Sequence, residues 1–478
     1  MQRLEGLDAS FVYLDTPATP MQVGMTCVFD PATVPGGYSF DKVRRLVENR
    51  LDLLPPFRRR LVEVPAKLHR PVWVEDADFD LDQHLHRHRS LPAPAGQREL
   101  EDFTAEVVSD PLDRSRPPWE MHIVEGLAGG MVGSVTKMHH AAIDGVSGAE
   151  LTANLLDVAP EPAAVEPLDP PWEPEPTPSR LALAGDAVRE LLRQPVAAAS
   201  TIARTLGAVA RLRRHNRDAE TDPPPGPFAA PRTCLNAPLT ARRHVAFTQV
   251  DLDDVRQVKE AAGATVNDVV LAVCAGALRS HLDEHGGCPG RSLVAAVPVS
   301  VRTGNDEGTM GNRLSAMLVD LATTVDDPAD RLHAIVERSR AAKEQDRLLG
   351  PDTLSGLAGL TPAVLLAAMG AVEARFGLSS RIPPACNLIV SNFPGPPAHL
   401  YCAGARMVAA YPMGPLALGN GLNITVQSYL DTLWFGIVAC PDAVPAPERL
   451  ADRLTDALGE LTKATTKHEW LRTHPAVL

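Results

Sequence analysis

The sequence predicts an α/β protein built as two halves joined by a long helical linker, and three features point that way. Both ends of the chain mix short apolar runs of strand length with segments of helical periodicity. Between them, Pro160 to Pro178 is so rich in Pro and Glu that neither a helix nor a central strand can propagate there. At 478 residues the chain is also too long for one ordinary domain and comfortable for two or three. The expected division is residues 1–159 for the N-terminal unit, 160–232 for the linker and 233–478 for the C-terminal unit.

In the first unit, MTCVF and VGSVTKM read as strands, while Phe40 to Leu53 and Leu100 to Val108 carry helical spacing. The linker becomes Ala/Leu/Arg-rich from Ser179 to Arg217, with Leu181, Val188, Leu191 and Leu192 at helical intervals. Pro195 is expected to break or kink it. Its end, RLRRHNR, is a basic cluster on an acidic protein, and DPPPGPFAAP closes the connection. The second unit opens with the strand HVAFTQVDL and a helix over Asp253 to Ala262. A second helix, capped by Thr265, begins TVNDVVLAV. The strands SLVAAVPVSV, RLSAMLVDLA, CNLIVSNFP, ITVQSYL and LWFGIVAC then lead to a terminal helix, Pro447 to Thr462.

Charge excludes one class of partner. With 46 Lys+Arg against 59 Asp+Glu the net charge is −13, where a nucleic-acid binder needs a basic face. Aromatics, at 4%, are too few for base-stacking platforms. The seven cysteines are scattered without a CxxC pair, which predicts buried thiols in a reducing compartment. The opening MQRLEGLDASFVYLD carries acids where a signal peptide needs an apolar core. The longest apolar stretch, Leu357 to Val372, is cut by Thr361 and Pro362 and is too short to span a bilayer. A cytoplasmic protein, free to work at a membrane surface, is expected.

The sharpest local feature is His139-His140-Ala-Ala-Ile-Asp144-Gly145, lying between a strand-like and a helix-like run. At such a junction His140 can project into a cleft, where an imidazole is the natural base for a hydroxyl or thiol. Asp144 is placed to brace the loop through an arginine, and Gly145 gives the turn its backbone freedom. No GxSxG, HExxH, P-loop or strand-to-helix GxGxxG competes with it. His84, His86 and His88 alternate and could share one strand face, but no acidic or Cys ligand sits at supportive spacing. A solvated face is expected there, and no metal.

HHAAIDG resembles the active-site motif of the bacterial wax ester synthase/acyl-CoA:diacylglycerol acyltransferases, within the broader HxxxD acyltransferases related to chloramphenicol acetyltransferase and peptide-synthetase condensation domains. RLEGLDASFVYLDTPATPMQVG, LPPFRRRLVEVP, WVEDADFDLDQHL, GATVNDVVLAV, MGNRLSAMLVDL, VSNFPGP and GLNITVQSYLDTLWFGIVA narrow the likeness, and the triacylglycerol synthases of mycolic-acid actinobacteria are the most similar. One departure is Pro117-Pro118-Trp119, where the family has PLW.

The resemblance implies two chloramphenicol-acetyltransferase-like α/β domains with mixed sheets, joined by a helical linker, with the active-site tunnel at their interface. It implies transfer of a long-chain acyl group from acyl-CoA to diacylglycerol or a long-chain alcohol. His140 would act as general base beside His139, with no acyl-enzyme and no cofactor, acyl-CoA being a substrate. Oxyanion or substrate contacts would fall to Asn267 and Asp268 of the ND motif, or to Ser391 and Asn392. Each pair has a plainer reading: helix capping after Thr265, and a strand end before a Pro-Gly turn. Two other functions stay open at this point, transfer to a non-glycerolipid alcohol or amine, and a catalytically dead protein of lipid inclusions. Cytoplasmic location with peripheral docking on the inner membrane or lipid inclusions is expected. Two surfaces offer themselves: Arg211, Arg213, Arg214 and Arg217, or the apolar segment Leu357 to Leu378 including Leu365 and Leu366.

Overall fold

The structure, a computed structural model, describes residues 2–91, 95–143, 152–162, 176–218, 223–300, 314–350, 361–377, 381–416 and 419–466. Its N-terminal elements are β1 (Gln2–Arg3), α1 (Gly6–Leu14), β2 (Gln22–Asp30), α2 (Phe40–Arg50), β3 (Arg59–Val62), β4 (Val72–Glu75), β5 (Leu85–His88), α3 (Gln97–Ser109), β6 (Trp119–Val124) and β7 (Val132–His139). Then come α4 (Arg180–Asp218), β8 (His244–Asp251), α5 (Leu252–Ala262), α6 (Val266–Glu284), β9 (Val294–Ser300), β10 (Leu314–Asp320), α7 (Pro328–Leu349) and α8 (Ala363–Phe376). The chain closes with β11 (Leu388–Phe393), β12 (Tyr401–Cys402), β13 (Ala405–Met413), β14 (Leu422–Tyr429), β15 (Thr432–Ala439) and α9 (Pro447–Thr466).

Local chemistry accounts for most boundaries. In α2 the buried residues Val43, Leu46, Val47 and Arg50 follow the 3.6-residue period, so one stripe faces the core. Asp251 caps α5 by accepting from the Asp253 N–H, and Gly263, at φ 60°, ends it in the left-handed region. Two residues later Thr265 caps α6, as its spacing predicts. Helix α4 stays helical through position 195, so Pro195 does not break it. A proline removes one backbone hydrogen bond, and the helix has several turns on either side to carry that loss. All seven cysteines are free, with Cys274, Cys386, Cys402 and Cys440 buried and Cys234 exposed.

Two six-stranded mixed sheets form the body. One has the order β12-β13-β2-β7-β6-β5 and the other β10-β9-β11-β14-β15-β8, with β1-β4-β3 as a small third sheet. Sheet membership crosses the linker: β13 runs antiparallel to β2, from Arg406 against Asp30 to Met413 against Gly24. It also lies over β15, so closely that a Cβ on Gly436 would meet the Pro412 carbonyl oxygen at 1.8 Å. Tyr411 of β13 stacks on Phe247 of β8 at 4.3 Å and meets Trp434 of β15 edge-on at 5.1 Å. From the other side, α3 reaches β8: Glu101 accepts the Phe247 N–H at 2.8 Å and Gln97 donates to the Phe247 carbonyl at 2.9 Å. The two sheets therefore share one core. No single helix among the described residues is long and apolar enough to cross a membrane.

Candidate active site

Strand β7 is buried along nearly its whole length and delivers its last residue, His139, into a short 3-10 turn over His140–Ala142. Backbone bonds pin the turn on both flanks. The His139 N–H donates to the Pro118 carbonyl at 2.9 Å, and the His140 N–H donates to the Met21 carbonyl at 2.8 Å. At the Pro117-Pro118-Trp119 departure, residue 118 contributes its backbone carbonyl, which every residue has whatever its side chain. Trp119 is itself buried, stacked on Phe57 at 4.0 Å and on His84 at 4.8 Å, with its indole N–H donating to the Phe57 carbonyl at 2.9 Å.

The two histidines face different surroundings. His139 is 2% exposed and its Nδ1 accepts the Ala141 N–H at 3.1 Å, which bends the turn. A neutral ring then carries its proton on Nε2, 3.6 Å from the Asp15 carboxylate. Asp15, at the C-terminal end of α1, also accepts the Met21 N–H at 3.1 Å and lies 3.8 Å from the Arg114 guanidinium. His140 is half-buried, its Nδ1 is 3.2 Å from the Ile143 carbonyl, and its ring lies against Phe11 of α1. A carbonyl only accepts, so Nδ1 holds the proton and the lone pair of the neutral ring stands on Nε2. Phe11, Asp15 and Arg114 were not singled out by spacing or periodicity. The only signal was the DASFVYLD segment, whose Phe and Asp lie four residues apart on a helix that ends at the motif turn.

Beneath the turn, Ala141 packs in a small apolar cluster with Leu4, Ala9, Val12 and Tyr13 of the N-terminal segment and Ala363 and Leu366 of α8. Helix α8 comes so near α1 that a Cβ on Gly370 would meet the Tyr13 carbonyl oxygen at 2.3 Å. Asp144 and Gly145 lie outside the described residues.

The remaining candidates stand in the C-terminal unit. Asp268 is buried in the first turn of α6, where its carboxylate accepts the Thr265 N–H at 3.0 Å and hydroxyl at 2.7 Å. Asn267, beside it, is half-buried. Ser391 and Asn392 sit half-buried on β11, in register with Thr425 and Val426 of β14. Among the described residues no hydrogen bond joins any of these four to His140. The alternating histidines do not form the solvated face expected of them. His84 is buried against Trp119, while His86 and His88 meet His122 of β6, a strand whose pairing with β5 their spacing could not reveal.

Comparison with known proteins decides what this turn belongs to. Residues 4–270 match the wax ester synthase/diacylglycerol acyltransferase catalytic domain, and residues 310–462 match the WS/DGAT C-terminal domain. The chain belongs to the wax ester synthase/diacylglycerol acyltransferase family. A Mycobacterium tuberculosis protein provisionally named a diacylglycerol O-acyltransferase is 38% identical over 466 residues, covering 97% of this chain and 91% of its own. A second one from that organism is 37% identical over 462 residues, covering 96% and 99%. Among solved structures, the wax ester synthase/diacylglycerol acyltransferase of Marinobacter aquaeolei superposes with a TM-score of 0.66 at 30% identity, covering 97% of this chain and all of that one. The first condensation domain of the calcium-dependent antibiotic synthetase shares the fold, with a TM-score of 0.57 at 16% identity over 97% of this chain and 96% of its own. The segment His139–Ala142 thus stands on the mixed-sheet α/β fold shared with this family.

Proposed function

We propose that this chain moves a long-chain acyl group from acyl-CoA to the hydroxyl of a diacylglycerol, and also of a long-chain alcohol, with His140 as general base. The observation that carries the reading is the orientation of the His140 ring. Its Nδ1 is committed to the Ile143 carbonyl, so Nε2 is the atom able to take a proton. As the acceptor O–H bond breaks, its oxygen attacks the thioester carbonyl. The tetrahedral intermediate then expels the CoA thiolate, which recovers the proton from the imidazolium. The turn His140–Ala142 offers no Ser or Cys nucleophile, in keeping with direct transfer and no acyl-enzyme.

The oxyanion needs a donor. Asn267 is the better candidate of its pair, since the Asp268 carboxylate repels negative charge and is already engaged by Thr265. Ser391 and Asn392 remain second candidates from the opposite sheet. His139, held between the Ala141 N–H and Asp15, positions the turn from beneath.

Lipid substrates call for a docking surface, and α8 supplies one. Val364, Leu365, Met369 and Phe376 are each half or more exposed, while Leu366 on the opposite side is 7% exposed. The exposed apolar face of α8, whose other side packs on Ala141 of the turn, suits delivery of an acceptor from a lipid surface. Arg211, Arg213, Arg214 and Arg217 are all exposed on α4 and add an electrostatic contribution that salt screens.

The test offers labelled palmitoyl-CoA with diacylglycerol and hexadecanol in parallel, to wild-type protein and to His140→Ala. The variant is expected to lose a factor of about 10²–10⁴ in turnover while acyl-CoA affinity holds. Near-normal turnover by a folded variant would remove His140 from the chemistry.

A further inference from the structure

We propose that His86, His122 and Glu120 form a binding site for one divalent transition-metal ion of the zinc class, at the outer edge of the N-terminal sheet. Strand β5 is an edge strand and runs parallel to β6 with His86 opposite His122. Because side chains alternate along a strand, His86 and His88 of β5 and Glu120 and His122 of β6 all project from one face. One ligand atom from each of His86, Glu120 and His122 lies within 4.8 Å of the other two. Tetrahedral zinc, with bonds of about 2.0–2.2 Å, needs ligand atoms about 3.4 Å apart. The Nε2 of His122 and the Glu120 carboxylate already stand 3.2 Å apart, close to ligand spacing, and His86 has to approach from within 4.8 Å.

The surroundings match what ligating groups require. For His122 to bind through Nε2 its proton must sit on Nδ1, and that atom is 3.1 Å from Nε2 of His88, an acceptor when neutral. Glu120 is anchored by the Lys137 ammonium at 3.0 Å, and that ammonium also donates to the Val107 and Asp110 carbonyls at 2.9 Å. The ammonium and His122 address the same oxygen, Oε2, so an ion would share that oxygen with Lys137 or take Oε1. The edge of the Phe103 ring closes the site toward α3, against His88 at 4.7 Å and His122 at 6.1 Å. Two imidazoles, one carboxylate and an open position for water form a borderline donor set, which favours Zn²⁺, Co²⁺ or Ni²⁺ over Mg²⁺ or Ca²⁺. The nearby ammonium opposes a cation, so micromolar affinity is expected rather than that of a closed structural site. A bound ion would cross-link β5, paired on one side only, to β6. It would take no part in acyl transfer, since the ligands lie on the sheet face beneath α3 and not on the His140 turn.

The test uses untagged, chelator-stripped protein, titrated with Zn²⁺ by calorimetry and with Co²⁺ by visible absorption. One ion per chain is expected, with Co²⁺ bands of four- or five-coordinate intensity. Affinity should weaken about tenfold or more in His86→Ala and in His122→Ala, while His399→Ala, at an exposed site elsewhere, binds as wild type. His86 lies on the edge strand, so its variant is the decisive one should His122→Ala unfold. Zn²⁺ should also raise the melting temperature of wild type and leave that of His86→Ala unmoved. Absence of Co²⁺ bands, or equal binding by wild type and His86→Ala, would overturn the site.

Discussion

The ring of Phe11 lies flat on the imidazole of His140, with centroids 4.2 Å apart and planes 12° apart. The stack limits how the imidazole can rotate, and the Ile143 carbonyl fixes which nitrogen carries the proton. Phe11 is in turn held by α1, whose end is tied through Asp15 to the Met21 N–H and whose flank meets α8 at Gly370. The orientation of the His140 ring therefore depends on a helix near the start of the chain and on the apolar helix α8 packed against it.

Removing that stack should cost orientation more than binding. Phe11→Ala is expected to lower kcat by about fivefold, the equivalent of a stacking contact of about 1 kcal/mol. The KM for acyl-CoA should change little, and Phe11→Tyr should restore most of the rate. Steady-state kinetics of the three proteins decide the point. An unchanged kcat in Phe11→Ala would show that the ring is oriented without it.

Docking gives a second test, refined by the fold. The neighbouring leucines of α8 are not equivalent: Leu365 is 50% exposed and Leu366 is buried against α1. Leu365→Ser with Met369→Ser is expected to weaken sedimentation with anionic liposomes while the melting temperature holds. Leu366→Ser should instead destabilise the protein, by about 2–4 kcal/mol, because it places a hydroxyl in an apolar contact. Wild-type sedimentation should survive high salt, since area burial is not screened. Complete release by salt would assign the role to the arginine cluster on α4.

Acid sensitivity has a specific source in His281. It is buried, neither ring nitrogen has a hydrogen-bond partner among the described residues, and burial, with His285 and Arg453 beside it, pushes its pKa down to about 4. The unfolded chain, with the ordinary value of 6.5, therefore takes up the proton first. The stability due to neutral His281 is complete above pH 6.5 and is lost as pH falls toward 4. His281→Leu is expected to flatten the dependence of melting temperature on pH across that window. At pH 5 the variant should be more stable by about 1 kcal/mol, having no polar atoms to strand. An unchanged slope would place the acid sensitivity elsewhere.

The local features were legible in the chain itself. Strand lengths, the cap at Thr265, the amphipathic stripes and the HHAAIDG segment all depend on residues a few positions apart, and such interactions survive without knowledge of the fold. Tertiary structure decided the rest. Periodicity cannot show that β13 leaves the C-terminal unit to pair with β2, because strand pairing is settled by which faces bury each other across the whole molecule. Nor can spacing show that Phe11 and Asp15 surround the two histidines, that Leu366 turns inward while Leu365 turns out, or that His122 completes a cluster begun by His86. Each of these rests on contacts between residues far apart in sequence, formed only when the shared core closes and brings their backbones together.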